Sequence, residues 1–341
     1  MERNLVDTGS LSPGALVAPP PNAAELLTSA PLGRGASARI VSPGFAETWH
    51  PSDVRAVILL GGTVRASDFG SAIKRSLLDL PIGGGATLLG YWAWEVSGLC
   101  WRLGLSNLSV RVVIGRNCAA PQKAVSAPGV HLTIERDPME FRGTGGVLRD
   151  LAHEYQDEDL LLVATANQLC TEPLPLLAER LWSGSGDVRL LAGPHQEPAG
   201  LLMLRCGCLR DIASSGFVDL KEQALPEIAT RYSVRVINAG ESAGQSIRRW
   251  QDYLAALRLR HQPPGEHAAS AFDEDWQPRF SVVEEGANVD PSAGVHDSVV
   301  LAGGRVSSKA SVVRCLIGPG GVVRSGEAVV GRLITAAGST E

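Results

Sequence analysis

A chain of 341 residues is long enough for one large domain and a smaller one, and long enough to bury a sizeable core. Its 44% hydrophobic and 20% charged content is that of a soluble globular protein; a formal net charge of -5 with no long basic run excludes a surface built for nucleic-acid phosphates. No apolar run reaches the roughly 18 residues of a membrane span, and the N-terminus is polar and acidic where a secretory signal would be basic and then apolar, so the expected location is the cytoplasm.

Residues 1–52 read as a poorly structured lead-in, with Pro, Ala and Gly crowding 10–22 and a short strand predicted at 36–41. An α/β domain is predicted over 53–261. Its first strand runs through Val57, Ile58, Leu59 and Leu60 into Gly61-Gly62, the pattern of a buried parallel strand feeding a glycine loop. A helix is predicted over 87–103, a strand over 110–115, a helix over 149–155 and a buried strand over 160–164. Another helix over 174–182 and strands over 188–192 and 201–205 complete the alternation, which calls for a mostly parallel sheet covered on both faces. Cys100, Cys118, Cys170, Cys206, Cys208 and Cys315 lack paired or four-ligand spacing and read as small buried hydrophobes in a reducing compartment. His153, His195 and His296 stand singly, and no Ser-His-Asp or Cys-His arrangement can be placed.

Residues 262–279 are polar, Pro-rich at the start, and suit a linker. Over 280–334 an apolar residue recurs at six-residue steps through Val283, Val289, Val295 and Leu301, slips, continues at Val306 and Val312, slips again and runs through Ile317, Val323 and Val329. Small and turn-forming residues fill the intervals. That period belongs to a β-solenoid whose short sides each send one apolar residue inward, followed here by a tail at 335–341. Hexapeptide acyltransferases share such a solenoid, but a repeat this short behind a full α/β domain argues against that reading.

Several segments fall in a telling order. Gly61-Gly62-Thr63-Val64-Arg65 follows the first strand, and Arg75 precedes a short apolar stretch ending in Pro81-Ile82. Gly83-Gly84-Gly85 comes just before the first long helix. Gly143-Thr144-Gly145-Gly146 lies further on, then Val218-Asp219-Leu220-Lys221, then Trp250-Gln251-Asp252-Tyr253-Leu254 ahead of the solenoid. This order, over about residues 54–331, resembles the sugar-phosphate nucleotidylyltransferases, also called nucleotide-sugar pyrophosphorylases. The resemblance implies a Rossmann-like nucleotidyltransferase sheet followed by a short left-handed β-helix. It implies that Gly61, Gly62 and Thr63 wrap a triphosphate that Arg65 neutralises, and that Arg75 stands where the family places a lysine at the reacting phosphate. Gly143, Thr144 and Gly145 would meet the nucleobase, and Glu197 and Lys221 the sugar. Taken singly, the same residues also read as a tight turn, a plain loop, solvated arginines and a solvated helix start.

Members of that family join a nucleoside triphosphate to a sugar 1-phosphate and release pyrophosphate, using a magnesium ion held by two carboxylates. Here Asn167 and Ser246 occupy the two carboxylate positions. Asn keeps an oxygen but no charge, so Mg2+ is expected only if the chain is active. The phosphate loop is one residue short, and Arg75 is not an equivalent of lysine. The implied function is nucleotide-sugar biosynthesis with weakened or lost catalysis, or a non-catalytic nucleotide-sugar-binding or regulatory subunit. Pairing with itself or with an active homologue is expected through the β-helix.

Overall fold

The computed structural model describes residues 49–62, 68–137, 142–193, 198–239, 244–262 and 278–340. The strand expected at 36–41 lies outside them. The α/β region runs β1 (Val54–Leu60), α1 (Asp68–Ile73), β2 (Pro81–Gly83), β3 (Ala86–Thr87), α2 (Leu88–Leu103), β4 (Leu108–Ile114), β5 (Val130–Arg136) and α3 (Gly143–Ala152). It continues with β6 (Leu160–Thr165), β7 (Gln168–Cys170), α4 (Leu174–Ser183), β8 (Val188–Ala192), β9 (Pro198–Arg205), α5 (Leu225–Ile228), β10 (Val234–Asn238), β11 (Gly244–Ser246) and α6 (Trp250–Arg260).

One seven-stranded sheet has the order β10-β8-β9-β6-β1-β4-β5. All neighbours are parallel except β9, which is antiparallel to both β6 and β8. β1 lies inside the sheet, between β6 and β4, where Val57, Ile58 and Leu59 are wholly buried and its two faces serve two cores. Val57 and Leu59 join Trp92, Leu162 and Leu257 on one side. Ala56 and Ile58 join Leu148, Leu161 and Ile228 on the other, as the strand period of two requires. Helix α2 starts where the Thr87 hydroxyl accepts from the Gly90 amide at 3.1 Å and ends at Gly104, in the left-handed region at φ 67°. Its Trp92 indole donates to the Ala166 carbonyl at 2.8 Å and so fixes the chain leaving β6.

Two differences from the sequence expectation concern edges and helix starts. Strands β5 and β10, which periodicity alone does not pick out, form the two edges of the sheet. Their side chains are half-buried or exposed, so neither carries a continuous apolar run. Helix α3 begins at Gly143, well before the expected start at 149, because a glycine-rich first turn lacks the propensity that marks a helix. Among the described residues no helix is long and apolar enough to cross a membrane.

Past residue 278 the chain forms a parallel β-solenoid: β12 (Ser281–Val283), β13 (Asn288–Val289), β14 (Gly294–His296), β15 (Ser298–Val300), β16 (Arg305–Val306), β17 (Ser311–Val313), β18 (Leu316–Ile317), β19 (Val322–Val323), β20 (Ala328–Val330), β21 (Leu333–Thr335) and β22 (Gly338–Thr340). Three sheets make its sides: β12-β15-β18-β21-β22, β13-β16-β19 and β14-β17-β20. Strand β22 differs from the rest, folding back antiparallel on β21 within what reads from sequence as a tail.

Stacked positions are 17 residues apart, as where the Cys315 amide meets the Ser298 hydroxyl. The inward columns are Val300, Ile317 and Ile334, then Val306 and Val323, then Val312 and Val329. The phase slip therefore falls earlier than the sequence places it. Val300 takes the interior column, while Leu301 turns to the core shared with the α/β domain. Val283 pairs with Val300, in the inward column, yet is 48% exposed because it belongs to the first coil. One corner repeats a left-handed residue at Asp297, Arg314 and Gly331, with φ of 46°, 51° and 63°.

The solenoid's first side faces the α/β domain. Val282, Val299, Leu316 and Leu333, which stack in register, lie with Phe280 and Leu301 in the same core as α2 and α6. Burying each such side chain stabilises the docking by about 1.5–3 kcal/mol. The His261 ring stacks on Phe280 at 5.9 Å, and Arg258 pairs with Asp297.

Candidate functional site

The chain passes from β1 to β4 on one side and later returns to β6 on the other, so the order reverses at β1. In open α/β sheets the crevice beyond the strand ends at such a point is where ligands bind. Here it holds a cavity of about 330 Å³ lined by Gly61, Gly62, Gly70, Ser71, Lys74, Arg75, Ser76, Leu77, Asn117, Cys118, Ala119 and Asn167.

Each wall has a local cause. The Gly61 amide donates to the Val113 carbonyl at 2.8 Å, which continues the β1–β4 pairing by one step. Gly62 then turns at φ 93°, a conformation open to glycine. Its carbonyl accepts from the Gly115 amide at 2.9 Å and the Cys118 thiol at 3.2 Å, which ties the loop after β4 to the loop after β1. Helix α1 ends at Ile73, and the left-handed residue after it, Lys74 at φ 54°, swings the chain so that Lys74 and Arg75 both reach the cavity. Every charged group on the described lining is thus a cation, which suits an anionic ligand.

The two cations differ. Lys74 is exposed, with no side-chain partner among the described residues. Arg75 is committed: its Nη1 donates to Glu284 Oε2 at 2.6 Å, and its Nη2 donates to Glu284 Oε1 at 3.0 Å and to the Asp79 carbonyl at 3.1 Å. Glu284 comes from the solenoid and also receives Lys123 Nζ at 2.8 Å and the Ala302 amide at 2.9 Å. Burial pushes the Glu284 carboxyl up, but the bonds from Arg75, the Ala302 amide and Lys123 outweigh it and hold the group down at about 2.

Asn167 closes the far wall. The Ala166 amide donates to the Leu60 carbonyl at 3.0 Å, placing Asn167 just beyond the end of β1. Its buried Oδ1 has no partner among the described residues. Strand β11 pairs with β7 so that Ser246 lies opposite Gln168, and the Ile247 amide donates to the Asn167 carbonyl at 2.8 Å. Two residues far apart in sequence are thereby made neighbours. Their donors are a neutral amide oxygen and a neutral hydroxyl. Magnesium is usually held through one or two carboxylates; neither position offers one, and Ser246 is not on the cavity lining, so these residues do not fit magnesium. Among the described residues no cluster of three His, Cys, Asp or Glu takes its place.

The other expected site residues fall elsewhere. Gly143 and Gly145 are buried against the Val218 segment: the Gly145 amide donates to the Val218 carbonyl at 3.0 Å. Gly143 has φ 69°, and a Cβ there would stand 2.3 Å from the Val218 oxygen. Thr144 Oγ1 accepts from the Leu220 amide at 3.1 Å. None of the three lines the cavity. Lys221 is exposed on the short helical turn that the Asp219 carboxylate caps through the Lys221 and Glu222 amides. Thr63, Arg65 and Glu197 lie outside the described residues. Lys74 and Glu284 went unremarked in the sequence, and Cys118, read there as a small buried hydrophobe, is instead half-buried on the cavity wall. The adjacent basic pair at 74 and 75 is the one signal that could have drawn attention to Lys74.

No family model matches the chain, and neither does any curated protein. Solved structures give matches at low identity. The crystal structure of a Mycobacterium tuberculosis Rv0371c homologue from Mycobacterium sp. strain JC1 is 16% identical, with a TM-score of 0.41 over 60% of this chain and 96% of its own. HddC from Yersinia pseudotuberculosis is 13% identical, with a TM-score of 0.38 over 60% and 98%. The same protein complexed with GMP-PN is 14% identical, with a TM-score of 0.42 over the same shares.

Proposed function

We propose that the chain binds the phosphate groups of a nucleoside triphosphate or nucleotide sugar in the β1 crevice, as a divergent relative of the sugar-phosphate nucleotidylyltransferases whose catalysis is weakened or lost. One observation carries this reading. The Gly61-Gly62 turn, the cations Lys74 and Arg75, and Asn167 converge on a single cavity at the point where strand order reverses. The motif order along the chain supports the family assignment, and the closeness of the segments that carry Asn167 and Ser246 adds to that support. Lys74, one residue before Arg75, is the cation free to meet a phosphate.

In active members the paired carboxylates hold magnesium, which neutralises the phosphates during transfer. The neutral pair here favours binding without turnover, hence the regulatory reading: a subunit that holds nucleotide sugar beside an active homologue. A sugar 1-phosphate partner, a cytoplasmic location and pairing through the solenoid belong to the same proposal. The test is pyrophosphate release across nucleoside triphosphates and sugar 1-phosphates with magnesium, run beside calorimetric binding of pyrophosphate and nucleoside triphosphates. Binding with little or no release is expected. Robust magnesium-dependent release overturns the loss of catalysis, and failure to bind any of these anions overturns the site.

A further inference from the structure

We propose that Glu284, carried in by the solenoid, is a built-in counter-anion of the cavity: a ligand phosphate takes the Arg75 guanidinium from it, so that filling the cavity and docking the solenoid oppose each other. The inference rests on the cavity being an anion site.

Three features of the geometry support the exchange. First, the carboxylate grips Arg75 through two parallel N–H bonds, at 2.6 and 3.0 Å, the fork by which a guanidinium also takes a phosphate. Glu284 thus occupies the same donors that a phosphate would use. Second, Arg75 lines the cavity, while the Glu284 side chain is only 4% exposed and comes from the other domain. As long as the pair holds, the carboxylate cancels the charge that Arg75 presents to a ligand, and Lys74 is left to attract the anion. Third, Glu284 does not depend on Arg75 alone. Lys123 Nζ at 2.8 Å and the Ala302 amide at 2.9 Å remain when Arg75 leaves, so the exchange strands no unpaired buried charge, the usual obstacle to opening a buried ion pair.

The coupling is reciprocal by thermodynamic linkage. A ligand that draws Arg75 away loosens one tie between the solenoid and the α/β domain, and a tighter tie lowers ligand affinity. A plain structural brace predicts neither effect.

The experiment measures pyrophosphate binding to the full chain by calorimetry, for the natural protein and for Glu284→Gln. The amide keeps the shape of the side chain and an oxygen for the Ala302 amide, and removes the charge. Binding about tenfold tighter is expected, the size of a unit charge acting at close range through nearly water-like screening. Equal or weaker binding overturns the proposal while leaving the site reading intact; absence of binding in both proteins overturns both. Hydrogen exchange on the natural protein gives the answer if the variant fails to fold. With saturating pyrophosphate, peptides spanning Glu284 and Ala302 are expected to exchange faster, and unchanged or slower exchange refutes the idea.

Discussion

Replacing Gly143 with alanine tests whether the glycine-rich start of α3 is a packing device or a free ligand loop. Three costs add up at this position. Alanine in the left-handed region, at the observed φ of 69°, costs about 1–2 kcal/mol. The added Cβ would stand 2.3 Å from the Val218 oxygen and 2.7 Å from its carbonyl carbon, far inside contact distance, and both are backbone atoms that no rotamer change can move. Relieving that overlap costs about 1–3 kcal/mol. Moving Val218 also strains the bonds its amide makes to the Arg142 carbonyl and its carbonyl accepts from Gly145, each contributing about 1 kcal/mol. The expected loss is about 2–5 kcal/mol if those bonds only lengthen and about 4–7 kcal/mol if both are lost, large for a single substitution. Gly84→Ala is the control: at φ 58° it carries the backbone cost, but nothing lies within 4 Å of its Cβ. Urea unfolding followed by tryptophan fluorescence measures both. If Gly143→Ala loses no more than Gly84→Ala, the close packing of α3 on the 218–220 segment is wrong.

Lys74→Ala should weaken pyrophosphate binding about tenfold, since the free ammonium meets the anion at close range, with little change in thermal stability; unaltered affinity in calorimetry removes Lys74 from the site. Leu316, wholly buried at the docking face of the solenoid, should lose about 2–5 kcal/mol on truncation to alanine, and a melting curve unchanged from the natural protein would place that face elsewhere. Because the Glu284 carboxyl is held at about 2 in the folded chain, below its unfolded value of about 4.3, its contribution to stability is present above that unfolded value and is lost as pH falls toward 2. Denaturant midpoints from pH 7 to pH 3 should therefore fall less steeply for Glu284→Gln than for the natural protein, and parallel profiles would refute the linkage.

The central strands β1 and β6 and the solenoid were legible because their signals are local. A buried strand writes a continuous apolar run, and a coil writes its own period. The resemblance sets Asn167 and Ser246 at the family's two carboxylate positions, and the pairing of β7 with β11 is what brings their two segments together. What stayed hidden depends on partners distant in sequence. Glu284 looks like an ordinary turn residue until the solenoid docks and brings it to Arg75. Val300 and Leu301 are equally apolar, and only the coil register decides which faces inward. Gly143 and Gly145 look like a loop meant for a ligand, yet the space they leave is filled by Val218. Strands β5 and β10, which have a neighbour on one flank alone among the described residues, carry mixed side chains, so periodicity passes over them.

The docking side of the solenoid is a column with one residue from each coil: Val282, Val299, Leu316, Leu333. A change in chain length inside the solenoid keeps that column only if it removes or adds whole coils. Any other length rotates the apolar side chains off the α/β domain and turns polar ones toward it. Each whole coil moves the far end by one inter-strand spacing, about 4.8 Å. The solenoid can therefore lengthen or shorten only in discrete steps, and since Glu284 belongs to the first coil, coils gained or lost at the far end would leave the contact with Arg75 in place.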